Sequence, residues 1–398
     1  MVKKTVYRQY LHIIILMAIS ISTVAQTNTN NFLLQNEEKL AGLKKQYKEG
    51  DAAVTKDINA LVAEADKTLT EGPYSVTFHK AKIAPSGNPH DYVSQAPYWW
   101  ADPSKPDGKP YIRKDGERNP EIYQLHDDSQ LNELCQSVKK LGFAYYFTNK
   151  EEYAKKAAAL LRVWFIDADT KMAPNLNYAQ YIPGINDGRG IGIIESRALA
   201  DIPDALAMMQ GSKSLNGNLI SGVKEWFAEY LKWLQNSKNG NDEHASKNNH
   251  GTYYDMQVVD FAIFTGDKKL ALDYIKNQTI QRMDTQFTVD GRQPLELERT
   301  KSWGYSNMNL DGWCRLAVLA DKLNINLWHT ETKDGKGIKK CIEWLMPYLL
   351  KQKEWTYKQI EPFGYNETLT ICSFAADKYP DIDFQAAFKM YRQPKPWM

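Results

Sequence analysis

From Asp128 onward, apolar residues recur every three or four positions. Leu131, Leu134, Cys135, Val138 and Leu141 keep this period, as do Tyr153, Ala157, Leu160, Leu161 and Trp164. Such spacing lays one apolar stripe along a helix. Comparable stripes predict helices near residues 191–210, 216–236, 251–264, 268–286, 307–323, 336–351 and 367–377. Upstream, Leu40, Leu43 and Tyr47, then Ile58, Leu61 and Ala65, predict one or two largely polar helices over 36–70. Between Pro73 and Asp127 the period fails and proline recurs, at Pro85, Pro89, Pro97, Pro103, Pro106, Pro110 and Pro120. This stretch reads as a long ordered loop with room for short strand, and loops of that length in a compact domain are usually functional.

Short turns such as Thr265-Gly266-Asp267 join consecutive helices, which makes sequence neighbours into antiparallel spatial neighbours. Strand-like runs are few. The expected fold class is all-α: an α/α toroid, an incomplete barrel of about six or seven helical hairpins, with long ordered loops lining its groove. An open α-solenoid or bundle fits the same pattern. The N-terminus has the layout of a signal peptide over residues 1–25. Lys3, Lys4 and Arg8 precede an apolar stretch from His12 to Val24, and Thr23-Val24-Ala25 suits a signal peptidase. The stretch is too short for a membrane span, and no cysteine lies near the cut to carry a lipid. Residues 26–398 are then expected to form one secreted, periplasmic, monomeric domain with no membrane span.

The chain has 398 residues, 50 of them basic and 48 acidic. This balance argues against nucleic acid as a partner, which calls for a strong basic excess. Cys135, Cys314, Cys341 and Cys372 show no CxxC spacing, and three of them sit in apolar helical windows as buried thiols. Core packing accounts for most of the 11 Trp and 23 Tyr. It does not account for Tyr98-Trp99-Trp100 in a proline-rich loop, where flat apolar faces suit stacking on sugar rings.

Polar residues cluster in four segments. The Tyr98–Pro103 loop and the following Pro110–Pro120 stretch combine Trp100 with Arg113 and Arg118, whose forked guanidinium groups suit carboxylates. A second loop carries Asn175, Asn177, Tyr178, Gln180 and Arg189 between two helices. In the third, Asn248-Asn249-His250 stands at a helix start, followed by Tyr254; capping explains one asparagine but not two followed by histidine. His244 and His250 lie close, yet without HExxH spacing or a cysteine partner they do not make a metal site. In the fourth, Arg299 and Tyr305 are six residues apart and flank Trp303, so a loop or bent helix end would let both face one pocket.

At these residues the chain resembles the alginate lyase superfamily of bacterial polysaccharide lyases, families five and thirty-eight. The resemblance spans roughly residues 85–325 and is most specific in Asn248-Asn249-His250-Gly251-Thr252 and in Arg299…Tyr305. It implies an α/α toroid and β-elimination at a uronate. It places Asn249 and His250 on the family's Asn-His pair, Arg299 on the carboxylate-facing arginine and Tyr305 on the catalytic tyrosine. The Arg-to-Tyr spacing is similar to family thirty-eight, family five carrying one more residue.

The chemistry suits those residue types. Removing the C5 proton beside a charged carboxylate needs donors for the growing negative charge, each contributing about 3–4 kcal/mol. Tyr305 as a phenolate near pH 7 costs roughly 4 kcal/mol unless a neighbouring cation, Arg299 or a protonated His250, lowers its pKa. The same phenol could then protonate the leaving O4 when both groups lie on one side of the ring, as in mannuronate or glucuronate. For guluronate His250 would have to serve as base. The expected partner is an anionic polyuronate, mannuronate-rich alginate first, with Trp100, Arg113, Gln180, Arg189, Asn248, Tyr254 and Trp303 as binding residues. No cofactor or metal enters this scheme. A glucuronan lyase of the same mechanism remains an alternative. So does a toroidal glycoside hydrolase, with its acids drawn from Asp127, Asp128, Asp187 and Glu243, and so does a non-catalytic glycan-binding protein.

Overall fold

The computed structural model describes residues 32–397, so the signal-peptide assignment over 1–25 lies outside the described residues. Helix α1 (Glu37–Glu49) starts at Asn36, whose side chain accepts from the Lys39 N–H, and ends at the left-handed Gly50. α2 (Ala52–Thr68) is capped by Asp51 in the same way. The proline-rich stretch that follows holds only the short strands β1 (Val93–Gln95), β2 (Trp99–Trp100) and β3 (Ile112–Arg113) and a 3₁₀ turn, Pro120–Gln124. Next come α3 (Asp127–Thr148), α4 (Glu151–Phe165) and strand β4 (Tyr178–Tyr181), which pairs in parallel with β1.

A 3₁₀ run over Gly190–Ala200 leads into α5 (Asp201–Met208). α6 (Gly217–Asn236), α7 (Lys238–His244) and α8 (Asn249–Thr265) follow. α9 (Lys268–Tyr274) and α10 (Ile280–Gln286) are halves of one helical stretch interrupted by a π turn over Ile275–Thr279. α11 (Pro294–Leu297), α12 (Ser302–Asp321), α13 (Ile338–Leu349), α14 (Asn366–Ala375) and α15 (Phe384–Tyr391) complete the chain.

Two kinds of helix build the α/α toroid. α6 buries one stripe, Leu219, Val223, Trp226, Phe227, Tyr230, Leu231 and Leu234, and leaves its other face to solvent. α8 is buried at nearly every position from Asn249 to Ala262, including Asp255, Gln257 and Asp260. α3 and α12 are likewise buried on several sides. A helix buried all round must be an inner one. α8 is flanked by α6, α7, α9 and α12, and α12 in turn by α13 and α14. One apolar cluster runs from Leu33 to Ala387. All four cysteines are buried free thiols.

Four elements differ from the sequence expectation. The predicted 191–210 helix is a 3₁₀ run followed by a short α-helix, because Gly190 and Gly192 lie against other backbone. A Cβ on Gly190 would come 2.6 Å from the Asn239 carbonyl oxygen, and one on Gly192 2.8 Å from the Ala179 carbonyl carbon. α12 begins at Ser302 and not near 307, since the two aromatic residues of its first turn, Trp303 and Tyr305, lie on opposite sides of the helix and mark no apolar stripe. The short α7 and the terminal α15 had no periodic signal of sufficient length.

Candidate active site

A cavity of about 630 Å³ opens between the β1–β4 loops and the first turns of α8 and α12. Asn248, Asn249, His250, Arg299 and Tyr305 all line it, as do Arg113, Gln180 and Arg189. Residues that are far apart in sequence and polar in character thus share one wall, which is how a carbohydrate site is built.

The Asn-His pair owes its placement to a distant carboxylate. Asn248 occupies the N-cap of α8, but its side chain makes no capping bond. Glu296, from α11, caps the helix instead. Its Oε1 accepts the Asn249 backbone N–H at 2.6 Å and its Oε2 accepts Asn249 Nδ2 at 2.8 Å. The Asn248 side chain is thereby left to the cavity. Asn249 keeps a second amide hydrogen beyond the one given to Glu296, and its buried Oδ1 has no partner among the described residues. Burial raises the Glu296 carboxyl above its usual range, against the pull of the Asn249 donors, His250 and Arg299.

His250 Nδ1 lies 2.8 Å from Oε1 of Glu243, which is fully buried on α7. A carboxylate can only accept, so Nδ1 carries the proton and Nε2 is the nitrogen left for a ligand. The 3₁₀ run holds α7 close enough for this through Gly190, where an added Cβ would sit 2.9 Å from the Glu243 nitrogen.

Arg299 lies in the short link between α11 and α12. Its Nη2 and Nε donate to Asp115 at 2.8 and 3.3 Å, and its guanidinium carbon stands 3.8 Å from the centroid of the Tyr305 ring. Burial works to raise the Asp115 carboxyl, but Arg299, Thr300 and Arg113 overcome it and hold it at about 2. Tyr305, in the first turn of α12, has its hydroxyl 2.9 Å from that of Tyr98. Its phenol is raised above the ordinary tyrosine value by burial. Arg299 acts in the opposite direction, as expected from the sequence, but Asp115 offsets its charge and burial prevails.

Opposite this group, Arg189 Nη2 donates to Gln180 Oε1 at 2.7 Å. Burial pulls the Arg189 guanidinium down to about 10, still charged at neutral pH. Gln180 adopts a left-handed backbone, φ +50°, and its N–H donates to Ser94 Oγ at 2.8 Å. Arg118 and Arg197 add two more guanidinium groups to the wall. Two acids, Asp128 and Glu195, face them. Burial and the neighbouring Asp128 raise Glu195 to about 7, against the hydroxyl donors Tyr92 and Ser94 at 2.8 and 2.6 Å.

Three expected binding residues lie elsewhere. Trp100 is turned away from the cavity, with Nε1 donating to the Glu117 carbonyl at 2.9 Å and Lys114 over its ring. The β2–β3 pairing sets Trp99 opposite Arg113, and these two share the cavity face. Tyr254 lies one turn below His250, buried, its hydroxyl donating to the Leu234 carbonyl of α6 at 2.8 Å. Trp303 is two residues from Tyr305 and so on the far side of α12, where Nε1 donates to the Gly364 carbonyl at 2.7 Å. Sequence reasoning gave Tyr98 only a stacking face and passed over Asp115, Glu195, Arg197 and Glu296. Glu195 and Arg197 did leave a signal, as isolated charges in the otherwise apolar Gly190–Ala200 run. Of the acids considered for hydrolysis, Asp127 is ion-paired with Lys80, Glu243 holds His250, and Asp187 is exposed, which leaves Asp128 in the cavity. Among the described residues no group of three or more His, Cys, Asp or Glu side chains is arranged to hold a metal ion.

Comparison with known proteins places this geometry. No curated protein sequence matches the chain. An alginate lyase from Bacteroides ovatus, solved by crystallography, is similar over 92% of this chain and 96% of its own, with 39% identity and a TM-score of 0.87. Alginate lyase A1-III from Sphingomonas species A1 shares the fold at 16% identity, over 82% of this chain and 88% of its own, with a TM-score of 0.51. The alginate lyase family profile matches residues 75–355. With most of its length inside that profile, this chain belongs to the alginate lyase family and is a polysaccharide lyase.

Proposed function

We propose that the chain cleaves a polyuronate, mannuronate-rich alginate first, by β-elimination with Tyr305 as both base and acid. The observation that carries this reading is the meeting of the Tyr305 hydroxyl, the Arg299 guanidinium and the Asn249-His250 pair on the wall of one cavity. The alginate lyase of 39% identity supports the choice of polymer.

The uronate carboxylate sits among Arg299, the free amide hydrogen of Asn249 and His250 in its imidazolium form, whose Nε2 then carries a hydrogen of its own. These donors take up the charge that develops as C5 loses its proton. The proton passes to the Tyr305 oxygen, and the electron pair spreads into the carboxylate. The C4–O4 bond then breaks, a C4=C5 double bond forms, and Tyr305 returns the proton to O4. One oxygen can serve both steps only where the C5 hydrogen and O4 share a face, which favours mannuronate or glucuronate over guluronate.

Tyr305 must first ionise. In the free protein its hydroxyl shares a hydrogen bond with that of Tyr98, and burial opposes the loss of its proton. Once the proton has gone, the Tyr98 hydroxyl turns and donates to the phenolate, and such a charge-assisted bond is stronger than the neutral one it replaces. The Arg299 cation over the ring acts in the same direction.

Incubation with polymannuronate, polyguluronate, glucuronan and a neutral glucan, read by the ultraviolet absorbance of the unsaturated product, tests this. Absorbance should rise with polymannuronate or glucuronan. New reducing ends without absorbance from every polymer would contradict it.

A further inference from the structure

A second pocket, of about 320 Å³, lies on the other side of the first turn of α12 from the catalytic cavity. Trp303, Tyr348, Trp355, Phe363 and Tyr365 form its aromatic wall, and Lys351, Lys353 and Glu354 supply its charges, two cations to one anion. The rings are set edge to face. Trp303 and Trp355 are 5.1 Å apart at 86°, Trp303 and Phe363 5.4 Å at 61°, and Tyr348 and Trp355 5.1 Å at 81°. Phe363 is 40% exposed, and the loop from Lys351 to Gly364 is largely open to solvent. A loop of this length without secondary structure of its own is usually functional.

The loop is anchored to the catalytic segment. The Ile360 N–H donates to the Thr300 carbonyl at 3.0 Å and the Ser302 N–H to the Lys358 carbonyl at 3.1 Å, so the strand-like stretch runs beside Arg299–Ser302. Trp355 Nε1 donates to Ser302 Oγ at 2.9 Å. Nearby Lys301 is paired with Glu361, whereas Lys351 and Lys353 form no ion pair among the described residues. The exposed Phe363 ring beside two unpaired cations that outnumber Glu354, fixed to the rim of a site proposed to take a polyanion, matches an anionic sugar chain in both charge and surface. A neutral apolar partner would leave the ammonium groups unanswered.

We infer that the pocket between Trp355, Phe363 and Lys351-Lys353 is an auxiliary binding site for a polyuronate chain whose other stretch occupies the catalytic cavity. The inference rests on the proposed function. A polymer that reaches both sites binds the second one intramolecularly and gains avidity, which an oligosaccharide confined to the catalytic cavity does not.

The test compares the parent with Lys351→Glu/Lys353→Glu and with Phe363→Ala, none of which touches the catalytic cavity. Both variants should raise KM for long polymannuronate by about 5- to 10-fold, while kcat and the kcat/KM for short oligosaccharides stay within about twofold. An unchanged polymer KM in a folded variant overturns the inference, and so does an equal loss on short and long substrates. Electrophoresis through a gel containing polymannuronate separates this from the lyase reading. Retardation of the parent that the variants lose supports the site even if no unsaturated product forms. Equal retardation of parent and variants overturns the site alone, and no retardation of the parent overturns both.

Discussion

The hydroxyls of Tyr98 and Tyr305 lie 2.9 Å apart although 207 positions separate the two residues. The proline-rich loop therefore lines the same cavity as the first turn of α12. If the Tyr98 hydroxyl steadies the Tyr305 phenolate, Tyr98→Phe removes a charge-assisted bond worth about 1.5–3 kcal/mol. The expected result is a drop of roughly 10- to 100-fold in kcat/KM, with the rising limb of the pH–rate profile displaced to higher pH. A pH profile of the variant checks this. An unshifted limb with full activity would remove Tyr98 from the mechanism.

Glu243 is predicted to act through His250. Its carboxylate fixes the proton on Nδ1 and the orientation of the ring. Glu243→Gln brings an amide that can donate as well as accept, so the ring is no longer held in one tautomer and turnover should fall by about 10- to 10⁴-fold. Nitrogen NMR of the His250 ring reads the tautomer directly. An unchanged tautomer with full turnover would remove Glu243 from the mechanism.

Glu296 serves two roles that different measurements separate. As the cap of α8, its loss in Glu296→Ala should lower stability by about 1–2 kcal/mol in denaturant unfolding. As the holder of Asn249 it should also cost turnover. Glu296→Gln can still accept one of the two Asn249 bonds, so it should recover much of the stability and less of the activity. Equal recovery of both would make Glu296 a structural residue alone.

Much of the architecture was legible because outer helices such as α6 carry a clean apolar stripe. The inner helices were harder. α8 is buried on nearly every side, so periodicity could not say which of its faces looks into the cavity. Tyr254 follows His250 at the spacing of one helical turn and seemed to share its face, yet the cavity reaches only the first turn. Trp303 and Tyr305 are close in sequence and opposed in space for the same helical reason. The exchange of Trp100 for Trp99 depended on the β2–β3 register, which two-residue strands do not announce. Asn249 and His250 stood out because helix capping explains one asparagine and not two followed by histidine, and Arg299 and Tyr305 through the family resemblance; the fold brings all four to one cavity. Their supports, Glu243, Glu296 and Asp115, did not stand out, because a buried carboxylate has no sequence signature until its partner is placed beside it.

Removing the Tyr305 hydroxyl separates proton transfer from binding. Product absorbance and calorimetric binding of a mannuronate oligosaccharide are read together for Tyr305→Phe and the parent. Turnover should fall by a factor of about 10²–10⁴ while the dissociation constant changes little. Turnover at the parent's rate, with binding intact, would contradict proton transfer by Tyr305.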